Sequence, residues 1–196
     1  EKPVSPLPET PSSLEFNHVN FRYPDGEAAV LSDISFIAKA GETTAFIGST
    51  GSGKSTLLSL LPRLLDADQG IIELGSDSLG WTNIKHLDTT DLRRRVHVVP
   101  QESFLFSDTL TANMRLAKPD ASNEDIQEAL RLASAEDVLH RLENGLDTRI
   151  GDRGITLSGG QRQRICLARA LLSHASILGL DDATSALDAA TERRII

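Results

Sequence analysis

The chain has 196 residues, of which 39% are hydrophobic, and its formal net charge is −8 at pH 7. This length and composition predict a globular protein with a buried core, and the acidic charge argues against nucleic acid as a partner. No run approaches the roughly 18 apolar residues of a membrane span, and the first residues lack the order of a signal peptide. We therefore expect these residues to be soluble.

The N-terminal part predicts a linker followed by strands. Four prolines fall within the first eleven residues, so residues 1–13 are interpreted as an extended, proline-rich linker. From Leu14 to Tyr23 apolar residues alternate with polar ones, which predicts a strand with a bulge near Asn17 and His18. Residues 30–38 and 43–48 are two further predicted strands, separated by a turn.

The middle of the chain alternates between predicted helices and short strands. The pattern of residues 56–65 predicts a helix that ends before Pro62. Residues 70–74 and 96–100 are apolar and β-branched, as short strands are, and residues 88–95 predict a short helix. The stretch around Trp81 is expected to be a surface loop.

The second half is dominated by predicted helices. Apolar residues recur at helical spacing over residues 122–142, and Ser122 with Asp125 predicts the helix start. We expect a helical subdomain over about residues 103–156, followed by a helix at 158–172 and a central strand at 175–180. The order of strand, loop and helix predicts the α/β class with a mainly parallel core sheet.

A glycine-rich loop, GSTGSGKST, links the predicted strand 43–48 to the following helix. Glycines let backbone N–H groups turn towards a phosphate, which the positive end of the helix also attracts. Lys54 can contact the β- and γ-phosphates, and the Ser55 hydroxyl can bind Mg²⁺. The alternative is a flexible loop that happens to precede a helix. The predicted phosphate-binding residues are Gly48, Ser49, Thr50, Gly51, Ser52, Gly53, Lys54, Ser55 and Thr56.

Two adjacent acids, Asp181 and Asp182, follow the last apolar run. Successive side chains of an extended strand leave on opposite faces, so the pair is not expected to act as one bidentate ligand. An acid at the end of a second strand suits Asp181 for Mg²⁺ held through water. The alternative is that both acids only cap a turn.

Three motifs in order, GSTGSGKST at 48–56, LSGGQ at 157–161 and LDDATSALD at 180–188, resemble the ATP-binding cassette (ABC) domain of transporters. Alone, LSGGQ would be only a helix cap, with Ser158 and Gln161 as a capping box and Gly159 and Gly160 leaving the helix start bare. The resemblance implies that it closes over the γ-phosphate of ATP held by a partner cassette. It also implies a P-loop NTPase (RecA-like) core with an antiparallel β subdomain and an inserted helical subdomain over residues 14–196.

Other positions gain roles from the same resemblance. Tyr23 matches the aromatic residue that stacks on adenine, and Gln101 matches the glutamine that senses Mg²⁺. Their alternatives are an ordinary strand aromatic and a solvated turn residue. Asp188 matches a loop that contacts the partner cassette. LFSDTLTANM and TRIGDRG, in which Asp152 replaces the usual Glu, resemble exporters.

The chain departs from the family at two points. The family usually places a Glu that polarises the attacking water after the Mg²⁺-binding Asp, but here the residue is Asp182. The shorter side chain predicts retained ATP affinity and weak turnover. None of the five histidines occupies the family's γ-phosphate position beyond residue 188, so a C-terminally truncated cassette is expected.

The leading hypothesis is therefore an exporter ATPase that uses ATP and Mg²⁺. Its expected partners are a second cassette, identical or different, and a transmembrane domain fused before residue 1, which together imply the cytoplasmic face of the cell membrane. If the partner differs, this chain would form the degenerate site of the pair. One alternative is a non-transport ABC ATPase, although the coiled-coil insertion or tandem cassettes of that class are absent from the sequence. Another is a metabolic P-loop kinase, which has no use for LSGGQ.

Overall fold

The computed structural model describes residues 12–76, 78, 80–151 and 157–183. The chain divides into two compact units, Glu1–Val98 and Val99–Ile196. Both contain helices and strands, which agrees with the predicted mixed α/β content. None of the described helices is long and apolar enough to cross a membrane.

The first unit is built on an antiparallel sheet. Its strands are β1 (Ser13–Phe21), β2 (Leu31–Ala38), β3 (Gln69–Ser76) and β4 (Gly80–Asn83), in the order β2-β1-β3-β4. The helices are α1 (Lys54–Leu60) and α2 (Thr89–Arg95), and β5 (Val96–Val99) follows at the boundary of the units.

Several local predictions for this unit are confirmed. The register of β1 against β2 shifts between Phe16 and Val19, and His18 adopts a φ of 51°, so the predicted bulge is present. Helix α1 ends before Pro62, as expected from a residue that cannot continue a helix. The short helix predicted at residues 88–95 is present as α2, and Asp88 caps it by accepting hydrogen bonds from the Thr90 and Asp91 amides.

Two predictions for the first unit are wrong. Residues 43–48 pair with no other strand in the described part of the chain, and the Ile47 side chain is 98% exposed. An apolar run forms a strand only where a neighbour completes its hydrogen bonds, and sequence pattern alone does not supply that neighbour. The stretch around Trp81 is not a loop, because it forms β4 with Trp81 opposite Gly75.

The second unit combines helices with short strand pairs. Its elements are β6 (Asp108–Thr109), α3 (Leu110–Arg115), α4 (Asn123–Leu132), α5 (Glu136–His140), β7 (Arg149–Ile150), α6 (Gly159–Leu172) and β8 (Ile177–Leu180). Strands β6 and β7 pair with each other in antiparallel orientation. The mainly parallel core sheet stays a prediction.

Helices α3, α4 and α6 enclose the apolar core of the second unit. Leu110, Met114, Ile126, Leu130 and Ile165 are each fully buried in it. The predicted start of α4 is confirmed, since Ser122 and Asp125 form a complete capping box. The helical spacing over residues 122–142 therefore identified the buried face correctly, while the subdomain boundaries at 103 and 156 stay predictions.

Arg164 of α6 connects this helix to the turn between α4 and α5 and to the start of α5. Its guanidinium donates to the Ser134 carbonyl and to both carboxylate oxygens of Asp137, at 2.5 and 3.2 Å. Burial acts to raise the pKa of Asp137, but the hydrogen bonds and charge of Arg164 outweigh it and leave that pKa below its ordinary value. The pair thus stabilises the fold above about pH 4 and loses its effect as the carboxylate becomes protonated.

Replacing Arg164 with alanine should lower the free energy of unfolding by about 1–2 kcal/mol, because hydrogen bonds to a charged group are lost from a pair that is partly screened by solvent on the Asp137 side. Urea denaturation of the chain at pH 7 measures this. The matched control is Arg131→Ala, which removes a solvent-screened, exposed pair with Glu128 and should change the free energy of unfolding much less than Arg164→Ala does. Equal effects of the two substitutions would contradict the structural role of Arg164.

Candidate functional site

The glycine-rich loop before α1 folds around the side chain of Lys54. The Lys54 ammonium donates hydrogen bonds to the carbonyls of Gly48 at 2.7 Å and Ser49 at 3.0 Å, and lies 3.4 Å from the Ser52 hydroxyl. A cation held by backbone carbonyls at the centre of an exposed loop is positioned to exchange those acceptors for an anion.

The backbone of this loop favours glycine, because φ is positive at both Gly51 and Gly53. Gly53 has a φ of 92°, and an added Cβ would lie 2.8 Å from Leu31 Cδ2 and 3.0 Å from the Val30 carbonyl. At Gly48 an added Cβ would lie 2.6 Å from the Ser52 hydroxyl. Gly53 is also the N-cap of α1 and provides no side-chain cap, so the first amides of α1 are open to an external acceptor.

The residues of the glycine-rich loop fit a nucleoside triphosphate with Mg²⁺. The loop combines a central ammonium with uncapped helix amides, and both favour negative charge. Ser55 is exposed beside Lys54 and offers a hydroxyl of the kind that binds Mg²⁺ in such loops. Thr56, the last residue of the motif, is buried.

Tyr23 lies close to the glycine-rich loop in the first unit. Its hydroxyl is 3.1 Å from the Thr56 hydroxyl, and its ring contacts Phe21 edge-to-face with 5.0 Å between the centroids. The side chain remains 42% exposed. An aromatic ring with this exposure keeps area available for stacking on a flat ligand.

The predicted capping box at the start of α6 is confirmed. The Ser158 hydroxyl accepts from the Gln161 amide at 3.2 Å, and Gln161 Oε1 accepts from the Ser158 amide at 2.8 Å. An added Cβ at Gly159 would contact nothing within 4 Å. The helix start is therefore rigidly set and sterically open.

The acidic pair does not lie in an extended strand. Strand β8 ends at Leu180, and the Asp181 amide still donates to the Val99 carbonyl at 3.0 Å. Asp182, by contrast, has a φ of 50°, which is the left-handed region. The argument that strand alternation separates the two side chains is therefore wrong for this pair. Asp is one of the few residues that tolerate this conformation.

Two glutamines contact Asp182 in the second unit. Gln101 Nε2 lies 3.4 Å from the Asp182 carboxylate, so these two predicted catalytic residues are neighbours. Gln163 Nε2 donates to the Asp182 carbonyl at 3.2 Å. Asp182 is exposed, and its carboxylate is therefore accessible from solvent.

The predicted site residues thus form two groups, each within one unit. The first contains Tyr23 and the loop 48–56, and the second contains Gln101, the helix start 158–161, Asp181 and Asp182. Asp152 and Asp188 lie outside the described residues, as do residues 1–11 of the predicted linker.

A family profile for ABC transporters matches residues 31–185, which include the glycine-rich loop, the capped helix start and the acidic pair. The chain belongs to the ABC transporter family. This ABC transporter chain is 45% identical over 183 residues to the uncharacterised ATP-binding protein YfiB of Bacillus subtilis. It is 43% identical over 189 residues to a candidate multidrug export ATP-binding/permease protein of Staphylococcus aureus.

A solved structure of a bacterial Atm1-family ABC exporter with ATP bound matches the chain with a TM-score of 0.87 at 38% identity. The comparisons with YfiB, the Staphylococcus protein and this exporter cover 93%, 96% and 97% of the ABC chain, respectively. They cover 31%, 32% and 32% of those proteins. The chain therefore spans about a third of the length of its relatives.

Sequence analysis of this ABC chain missed Gln163. Its side chain is only 3% exposed, between the LSGGQ motif and the apolar part of α6. Helical spacing would have revealed it, because Gln163 shares a face with Cys166, Leu167 and Ala170, which are all buried. A polar residue on a buried helix face calls for a hydrogen-bond partner, but the sequence does not identify that partner.

Proposed function

We propose that this chain is an ATP-binding and ATP-hydrolysing cassette that powers export across a membrane, with Mg²⁺ as cofactor. The observation that carries the proposal is the loop folded around the Lys54 ammonium, which suits a triphosphate. Relatives that are named as exporters support the transport role. The proposed location is the cytoplasmic face of the cell membrane.

The first unit would bind the nucleotide. Lys54 would exchange its contacts with Gly48 and Ser49 for phosphate oxygens, and the amides of α1 would donate to the same group. Ser55, Gln101 and Asp181 are the residues proposed to hold Mg²⁺ directly or through water. Bound Mg²⁺ supplies positive charge that offsets the charge of the phosphates.

Residues of the second unit would orient the attacking water and accept its proton. The Asp182 carboxylate accepts a proton from water, and Gln101 orients the same water from a neighbouring position. The side chain of Asp is one methylene shorter than that of Glu, so its reach to the water is reduced. A displacement on the order of 1 Å at such a centre can cost about 100-fold in rate, which predicts weak turnover with retained binding.

The proposed partners are a second cassette and a transmembrane domain fused before residue 1. Ser158, Gly159, Gly160 and Gln161 would contact the γ-phosphate held by the second cassette, in a head-to-tail pair. The open start of α6 supports this role. If the partner cassette differs from this one, this chain would contribute the slow site of the pair.

Tyr23 is proposed to stack on adenine, which gives a direct prediction. Tyr23→Ala should weaken ATP binding by about 1–3 kcal/mol, the range measured for loss of one stacked base. Tyr23→Phe keeps the ring and should bind ATP within about twofold of the natural protein. Fluorescence titration with a labelled ATP analogue measures both, and an Ala variant with natural affinity would contradict the stacking role.

The proposed reaction is tested by a phosphate balance on the complete protein purified from membranes. Hydrolysis predicts equal amounts of ADP and inorganic phosphate, formed only when Mg²⁺ is present. A kinase would instead form ADP without free phosphate in the presence of an acceptor. Phosphate release that does not require Mg²⁺ would also count against the proposal.

A further inference from the structure

Gln163 is a buried amide on an otherwise apolar helix face. Its side chain is 3% exposed, and the neighbouring residues Ile165, Cys166 and Leu167 are at most 1% exposed. Burying an amide is unfavourable unless it is hydrogen-bonded, and here Nε2 donates to the Asp182 carbonyl at 3.2 Å. This hydrogen bond joins the buried face of α6 to the backbone of Asp182.

The acceptor of this hydrogen bond belongs to a residue in an unusual conformation. Asp182 has a φ of 50°, and a non-glycine residue remains in the left-handed region only where its surroundings determine it. The hydrogen bond from Gln163 favours one orientation of the Asp182 carbonyl, which depends on the backbone angle ψ. The direction in which the carboxylate projects depends on that backbone. The contact from Gln101 Nε2 to the Asp182 carboxylate is longer, at 3.4 Å.

We propose that Gln163 is a positioning residue for hydrolysis, holding the backbone of Asp182 so that its carboxylate faces the attacking water. The proposal rests on the proposed function of Asp182. Because Gln163 lies on α6, the direction of the carboxylate depends on the position of this helix. Gln163 itself contacts neither nucleotide nor water in this role.

The test uses the complete protein with Gln163→Met, which keeps the side-chain length and removes the donor. In an Asp182→Glu background, Gln163→Met should lower kcat for ATP hydrolysis about 10-fold and leave KM within about twofold. In an Asp182→Asn background it should have no further effect, because the group that it positions is already lost. An unchanged kcat in the Asp182→Glu background overturns the proposal.

A matched control separates positioning from general stability. Asn113 is another buried amide of the second unit, 1% exposed, and it hydrogen-bonds Phe106 and Thr109 away from Asp182. Asn113→Leu should lower thermal stability at least as much as Gln163→Met. Any effect on kcat should be equal in the Asp182→Glu and Asp182→Asn backgrounds. A background-dependent effect of Asn113→Leu like that of Gln163→Met would overturn the specific role of Gln163.

A second measurement does not depend on hydrolysis. Hydrogen–deuterium exchange should be faster in the peptide covering residues 180–183 in Gln163→Met and unchanged there in Asn113→Leu. Unchanged exchange in Gln163→Met overturns the positioning contact. If exchange rises but no variant hydrolyses ATP, the contact stands and the proposed function fails.

Discussion

Replacing Lys54 with alanine is expected to weaken ATP binding by about 10- to 100-fold and to abolish measurable hydrolysis. The Lys54 ammonium lies at the centre of the loop, within 3.0 Å of two backbone carbonyls, and no other residue of the loop 48–56 is positively charged. Loss of one charged hydrogen-bond donor costs roughly 1.5–3 kcal/mol in binding, and a donor aimed at transition-state charge is worth about 100- to 1,000-fold in rate.

The matched control for Lys54 is Lys85→Ala. Lys85 is a lysine of the same unit, and its ammonium also donates to a backbone carbonyl, that of Ala67 at 3.0 Å. This substitution should reduce stability slightly and leave ATP affinity within about twofold. Isothermal titration with ATP and Mg²⁺ measures both variants. Natural affinity in Lys54→Ala would show that the loop does not bind the triphosphate.

Lengthening the acid at position 182 is expected to increase hydrolysis. Asp182→Glu should raise turnover at this chain's own phosphate site by about 10- to 100-fold, because the longer side chain restores the reach of a general base. The dissociation constant for ATP should stay within about twofold, since Lys54 and the glycine-rich loop are unchanged. Phosphate release by the complete protein measures the turnover.

The amide variant Asp182→Asn gives the complementary result. It removes the proton acceptor and keeps the shape of the side chain, so it should abolish only the slow turnover at this site. In a complex with a different, competent cassette, most of the total turnover should remain. Loss of all turnover in Asp182→Asn would mean that Asp182 is a fully working base and that the site is not degenerate.

Local features of the fold could be predicted because their causes are local. The capping boxes at Ser122 and Ser158 depend on side chains three residues apart, and both are present. The bulge near His18 and the end of α1 before Pro62 also depend on residues that are close in sequence. The motifs themselves identified the family, because their order along the chain is specific.

Features that depend on distant residues could not be predicted in the same way. The Asp182 backbone turns into the left-handed region after β8 ends, which no pattern in LGLDDATS indicates. Gln163 and Gln101 reach Asp182 from positions 19 and 81 residues away in sequence. The strand expected at residues 43–48 lacks a partner among the described residues, and β4 forms only because it pairs with β3. Pairing of this kind is a property of the assembled chain.

We propose above all that this cassette binds ATP firmly and hydrolyses it slowly at its own phosphate site. Photo-crosslinking of the complete protein with azido-ATP, labelled at either the α- or the γ-phosphate, tests it directly. We predict that this chain retains both labels in nearly equal amounts after one turnover time of the complex, and that Asp182→Glu loses the γ-label. Rapid loss of the γ-label from the natural chain would contradict the claim.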